Sequence, residues 1–187
     1  MSVRPPTRIL VAEDDPDIGS LLEHYLKKAG FLANVVSSGR EEDTSGPALA
    51  RFAEGLGAEV AASEIVPDEQ SKIEWALRHY ADTEGCDLVL TTGGTGFAPD
   101  DVTPEATRAV IEREAPGIGE AMRAASREHT RNWMLSRGIA GARGRTLIIN
   151  FPGSPKSIGE AGEAIGEAIP HAVGLLSGQP VTGSHGH

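Results

Sequence analysis

Two hydrophobic rhythms alternate along this chain. Short apolar runs at 9–12, 34–38, 59–66, 88–90 and 146–150 predict β-strands. Between them, apolar residues return every three or four positions, as one buried face of a helix requires. Ile18, Leu21, Leu22, Tyr25, Leu26 and Ala29 mark the first such face, and Leu49, Phe52, Ala53 and Leu56 the second. Ile73, Ala76, Leu77 and Tyr80 mark a third; Val110 and Ile111 belong to a fourth, expected to stop before Pro116, and Ile118, Met122 and Ala125 to a fifth. A last helical stretch runs from 158 to about 176, with Pro170 as a break or kink. This alternation predicts an α/β fold. The sheet is expected to be doubly wound and mostly parallel, with helices on both faces in three layers and an extra N-terminal strand–helix unit.

Polar punctuation gathers where the strands end. The 88–90 run leads into Thr91-Thr92-Gly93-Gly94-Thr95-Gly96, then Asp100 and Asp101, then Thr103-Pro104. That order predicts a strand, a glycine-rich loop, an acidic pair and a helix capped by Thr103. Residues 39–47 and 152–157 are two more loops rich in Gly, Pro and hydroxyls, and Pro67-Asp68-Glu69-Gln70 ends the 59–66 strand with Asp68 set to cap the next helix. Right-handed crossovers bring such loops to one edge of the sheet, where open α/β sheets bind ligands. Backbone N–H groups freed by glycine suit phosphate, and a carboxylate beside them suits a metal ion. By residue type alone, Asp68 and Asp101 read equally well as turn or cap acids.

Composition narrows the classes. With 187 residues the chain is long enough for one domain with a substantial core. Seventeen basic against 27 acidic residues give a net charge of -10, which argues against non-specific nucleic-acid binding. Cys86 is the single cysteine, so no internal disulfide forms, and its position before an apolar run predicts a buried structural thiol. No apolar run approaches the roughly 18 residues that span a bilayer, and no signal-peptide segment opens the chain, so a soluble cytoplasmic protein is expected. His185 and His187 are too few and too terminal for a metal site. Trp75 and Trp133 are expected to pack, and His129 to lie on a solvated helix face.

The opening Ile9-Leu10-Val11-Ala12-Glu13-Asp14-Asp15-Pro16-Asp17-Ile18 resembles the first strand and helix of response-regulator receiver domains. In that family the acids matching Glu13 and Asp14 bind Mg²⁺ beside a phosphorylated aspartate. No acceptor aspartate follows the next strand here, where Ser37 and Ser38 stand. Acids that solvate a strand end are therefore favoured over a working receiver-like signalling module.

Four further motifs stand in register. They are Glu42-Asp43-Thr44-Ser45-Gly46-Pro47; Pro67-Asp68-Glu69-Gln70; Thr91 to Gly96 with Asp101-Val102-Thr103-Pro104-Glu105-Ala106; and Pro152-Gly153-Ser154-Pro155-Lys156-Ser157. Over about 34–179 they resemble the molybdenum-cofactor biosynthesis proteins of the MogA/MoaB type, also seen in the G domain of gephyrin. The resemblance implies a doubly wound domain, a homotrimer, and adenylylation of molybdopterin. In that reaction the terminal phosphate of the pterin attacks the α-phosphate of Mg-ATP and pyrophosphate leaves. It implies catalytic roles for Asp68 and Asp101, which would also hold Mg²⁺. It also implies nucleotide or pterin contacts from Thr44, Ser45, Gly46, Thr92, Gly93, Gly94, Thr95, Gly96, Ser136, Ser154 and Lys156. Ser136 enters through Leu135-Ser136-Arg137-Gly138, which resembles a stretch of the family, and Asp100 reads as a solvent acid.

A family member would begin near Phe31. Residues 1–33 are thus read as a receiver-like extension, 34–179 as the transferase domain and 180–187 as a loose tail. The junction is that expected of a chimera, natural or designed, whose added strand must find a sheet edge. A catalytically silent pterin-binding or scaffold member, or a designed flavodoxin-like chimera without activity, is the alternative to an active enzyme.

Overall fold

The computed structural model describes Thr7–Leu10, Phe31–Ser37 and residues 45–178. In chain order the elements are β1 (Thr7–Leu10), β2 (Phe31–Ser37), α1 (Ser45–Gly55), β3 (Ala58–Ile65), α2 (Gln70–Arg78) and β4 (Leu88–Thr92). There follow α3 (Thr103–Val110), β5 (Arg113–Glu114), α4 (Pro116–Ser126), β6 (Ala140–Arg143), β7 (Thr146–Phe151), α5 (Pro155–Ile165) and α6 (Ala168–Ser177). The predicted helix over 18–29 and the acids Glu13 and Asp14 lie outside the described residues, as does the tail 180–187.

β3, β2, β4 and β7 lie side by side and parallel. β6 folds back antiparallel on β7 through a reversal at Gly144 (φ +54), and β5 pairs antiparallel with β6. The sheet is therefore mixed at this edge. The stretch Ala-Gly-Ala-Arg of β6 has too little apolar character to announce a strand, so the sequence shows only turns and short extended pieces there. β1 starts at Thr7, two residues before the predicted run, and does not simply extend an edge. It pairs with the starts of three strands, with Thr7 opposite Phe31, Arg8 opposite Glu59 and Ile9 opposite Leu88.

β4 and β7 are buried at every position, so both faces of the sheet are covered. Successive strand residues point to opposite faces. On β7, the amide of Asn150 donates to Thr107 of α3, while Phe151 packs against Phe52 of α1 with ring centroids 5.3 Å apart. α3 and α1 thus lie on opposite faces of the sheet, giving the three layers expected. α5 runs so close to Phe52 that a Cβ on Gly162 would stand 2.7 Å from the ring. The predicted helix faces are buried: Leu49, Phe52, Ala53 and Leu56, then Ile73, Ala76, Leu77 and Tyr80. Cys86 is buried as well. Two expectations fail. Trp75 is 61% exposed and stacks on His79 instead of entering the core. The C-terminal break falls at Gly166-Glu167, between α5 and α6, while Pro170 sits in the first turn of α6, where its missing N–H costs nothing.

The register positions the functional edge. Ser37 is opposite both Ile65 and Thr92, and Thr92 is opposite Phe151. Four parallel strands therefore end in one row, and the segments that follow them leave from the same edge.

Candidate active site

The loop after β4 is built by close contacts that only small residues permit. Gly93 (φ +79) and Gly94 (φ +60) adopt left-handed backbone. Thr92 Oγ1 donates to the Pro152 carbonyl at 2.7 Å, which ties this loop to the one after β7. The two backbones touch there, since a Cβ on Gly153 would stand 3.0 Å from Gly93 Cα. Behind them, buried Asn150 bridges the sheet to α3, donating to Thr91 Oγ1 (2.9 Å) and Thr107 Oγ1 (2.8 Å).

Asp101 closes the far half of the loop. Its Oδ2 accepts the Ala98 N–H at 2.6 Å, and its own N–H donates to the Ala98 carbonyl at 3.0 Å. A Cβ on Gly96 would stand 2.7 Å from that carboxylate oxygen, so the carboxylate fills the space glycine leaves. Asp100 is exposed, as expected. Thr103 is not the N-cap: Val102 holds that position, and Thr103 is buried in the first turn with its N–H donating to the Gly94 carbonyl at 3.1 Å. The loop itself thus satisfies the first free N–H of the helix.

Arg137 is the residue the sequence reading passed over beside Ser136. Its backbone N–H donates to the Thr95 carbonyl (2.9 Å), and its Nε to the Gly96 carbonyl (2.6 Å). Its Nη2 donates to the Asp101 carbonyl, its Nη1 to the Glu105 carboxylate, and the guanidinium lies 5.2 Å from the centre of the exposed Phe97 ring. Burial alone would raise the Glu105 carboxyl. The hydrogen bonds from Arg137 and from its own backbone, with the positive charges of Arg137 and Arg108, outweigh burial and hold it below the ordinary glutamate value. The signal was present in Leu135-Ser136-Arg137-Gly138, but nothing in one sequence says which loop an arginine 36 residues away from Asp101 will brace. Ser136 itself is half-buried at the end of a short 3-10 turn.

The turn after β3 is arranged differently. Glu69, not Asp68, is the N-cap of α2, and it makes no side-chain cap bond. Asp68 therefore does not cap. Its Oδ1 is sealed from solvent and accepts no hydrogen bond from the described residues. Beside it, a groove of about 500 Å³ opens between β3 and α2, lined by Glu64, Val66, Pro67, Ser71, Lys72 and Trp75. At its rim, Tyr80 donates to Glu64 Oε2 at 2.6 Å. Burial, aided by that bond, pushes the phenol above its ordinary value.

The remaining expected site residues divide. Ser45 and Gly46 form the buried first turn of α1, and Thr44 lies outside the described residues. Ser154 is the N-cap of α5, its Oγ accepting the Ser157 N–H at 3.3 Å. Lys156 points into solvent, 3.8 Å from Glu160 Oε1. His129 also meets Glu160, at 3.3 Å, so it is not simply solvated.

One donor is left open to a cation, the Asp68 Oδ1. Buried acceptors are normally paired, and the bare oxygen of Asp68 is a place for an incoming cation or donor. Among the described residues no group of three or more His, Cys, Asp or Glu could hold a metal. An ion here would rest on one or two carboxylates completed by substrate phosphates, which is the habit of Mg²⁺.

The chain is similar to known proteins in both family and fold. Residues 21–171 match the family described as "Probable molybdopterin binding domain". The molybdopterin adenylyltransferase of Helicobacter pylori (strain J99) is 51% identical over 115 residues, which make up 62% of this chain and 65% of that protein. The molybdenum cofactor synthesis protein cinnamon of Drosophila melanogaster is 45% identical over 137 residues, 73% of this chain but 23% of that protein. The matched part of the chain thus spans less than two-thirds of either relative. The crystal structure of the molybdopterin biosynthesis enzyme MoaB from Thermus thermophilus superposes with a TM-score of 0.72 at 48% identity, covering 78% of this chain and 95% of that one. With a match across most of its length and the same α/β fold, the chain belongs to the molybdopterin-binding domain family of molybdenum cofactor biosynthesis.

Proposed function

We propose that the protein is a molybdopterin adenylyltransferase. The observation that carries this reading is the unpartnered, buried Asp68 Oδ1 on the same sheet edge as the braced glycine loop and Asp101. The names of its relatives support it. One strand, β2, separates the strands that lead to the two aspartates, so their loops start about 10 Å apart. That span suits a nucleotide phosphate chain lying between them.

The reaction joins a terminal phosphate oxygen of molybdopterin to the α-phosphorus of ATP. The bond from that phosphorus to the bridging β-phosphate oxygen breaks, and pyrophosphate leaves with the electron pair. Such transfer depends on positioning and charge neutralisation. Asp68 and Asp101 would hold Mg²⁺, which when bound neutralises phosphate charge. The N–H groups of the 93–97 loop bind phosphate oxygens. Thr44, Ser45, Gly46, Ser136, Ser154 and Lys156 form the pterin side, with Ser154 doing so in addition to its capping bond. The same reading takes residues 1–33 as an extension, 34–179 as the transferase unit, and the protein as a cytoplasmic homotrimer.

Incubation with molybdopterin and Mg-ATP is expected to release pyrophosphate, and Asp101→Asn to abolish release. An active Asp101→Asn enzyme overturns the assignment of roles. Binding of molybdopterin without turnover by the wild type replaces the enzyme with a silent pterin-binding member.

A further inference from the structure

An arginine beside a phosphate-binding loop would ordinarily be taken as a phosphate ligand. Arg137 is committed otherwise. Its three side-chain nitrogens and its backbone N–H already serve the Thr95, Gly96 and Asp101 carbonyls and the Glu105 carboxylate. Its guanidinium is further covered by Phe97. What this achieves follows from peptide geometry. In a trans peptide, the carbonyl of one residue and the N–H of the next point in opposite directions. The Gly94 carbonyl is held by Thr103, and the Thr95 and Gly96 carbonyls by Arg137. The N–H groups of Thr95, Gly96 and Phe97 share those three peptide planes and so face the other way. No hydrogen bond among the described residues uses the N–H groups of Thr95 and Gly96.

We propose that Arg137 is a positioning residue that touches no substrate: it pins the backs of two of these peptide planes, the Thr103 N–H holding the third, so that three successive N–H groups form an anion cradle for a nucleotide phosphate while Asp101 is held beside them. The proposal rests on the adenylyltransferase reading for the identity of the ligand. A row of N–H groups fixed before the ligand arrives costs no reorganisation on binding. Lysine cannot replace the fork, because its ammonium is one point charge without the planar set of donors.

Arg137→Lys separates positioning from charge. If the guanidinium bound phosphate by charge, the lysine variant would keep most of its affinity and its salt dependence. Positioning predicts a dissociation constant for Mg-ATP, measured by calorimetry, about tenfold or more weaker. It also predicts faster amide exchange in the ligand-free protein at Ala98 and Asp101, with Ile148 and Ile149 of β7 unchanged. Wild-type affinity in the lysine variant, or exchange that is unchanged or rises equally in loop and core, overturns the proposal. Should the lysine variant fail to fold, Glu105→Gln weakens one arm of the same fork and must speed exchange at the same two amides; unchanged exchange there overturns it equally. A wild-type protein that binds no Mg-ATP overturns the adenylyltransferase reading instead, and the exchange comparison still decides the role of Arg137.

Discussion

Two aspartates lie on the same sheet edge in opposite conditions. Asp101 is tied down: one carboxylate oxygen accepts the Ala98 N–H, and its carbonyl is held by Arg137. Asp68 follows the β3 strand in a tight turn, where the Glu69 N–H reaches the Pro67 carbonyl at 2.6 Å, and its Oδ1 is buried with no partner. The first costs the fold nothing. The second leaves one sealed oxygen unpaired on a side chain that is otherwise half-buried. The carboxylate of Asp101 is engaged by its own loop, whereas Asp68 Oδ1 is engaged by nothing among the described residues.

The sharpest way to break this contrast is to neutralise the bare oxygen. Asp68→Asn is expected to lower pyrophosphate release at least about a hundredfold, by removing charge where phosphate charge must be balanced. Its melting temperature should hold, because Asp68 Oδ1 accepts no hydrogen bond among the described residues that the amide would lose. A variant that loses activity and melts well below the wild type would show that Asp68 supports the fold. The contrast between the two aspartates would then be lost.

A smaller effect tests whether the prepared loop depends on its neighbour. Gly153→Ala puts a methyl group 3.0 Å from Gly93 Cα, and neither backbone has a flexible end to yield. The expected cost is about 1–3 kcal/mol, the usual range for overpacking. For a chain of this size that lowers the melting temperature by about 2–4 °C per kcal/mol. An unchanged melting curve, read by circular dichroism, would mean that the two loops can separate and that the site is less fixed than its contacts suggest.

These contrasts mark what the sequence made legible. The layers, the buried helix faces and the strand-end loops were readable, because periodicity reports burial directly and parallel strands must send their ends to one edge. Which acid capped a helix was not. Asp68 and Thr103 both have the right side chains for caps, yet Glu69 and Val102 hold those positions, and the Gly94 carbonyl takes the Thr103 N–H. At Thr103, local preference gave way to the contact with the glycine loop. Ser154 is the opposite case, since its residue type and position both suit a cap and it makes one. Arg137 was invisible for a different reason. Its partners are spread over residues 95–105, and no spacing rule reaches across such a separation. Trp75 shows the limit of residue type: a large aromatic on a helix is usually packed, but this one lies on the rim of the groove beside Asp68.

A second arginine fork supplies the control with the smallest expected effect. Arg143 meets Asp82 with two nitrogens, at 2.9 and 2.6 Å, and gives a third bond to the Val110 carbonyl at 3.0 Å. Its design repeats that of Arg137, but no loop of the proposed site hangs on it. The hydrogen bond from Arg143, against the opposing effect of burial and with the charges of Arg143 and Arg78, holds the Asp82 carboxyl below its ordinary value. A carboxyl depressed in the folded state contributes stability that is present above its unfolded value, near pH 4, and is lost as pH falls through the lower folded value. The Asp82 side chain is 50% exposed, so the contribution should stay below about 1 kcal/mol. Asp82→Asn is therefore expected to flatten the loss of stability below about pH 4 slightly and to leave exchange at Ala98 and Asp101 untouched. If it speeds exchange in the loop as Arg137→Lys is expected to, then loosening any arginine fork loosens the loop, and the special position of Arg137 behind the peptide planes explains nothing.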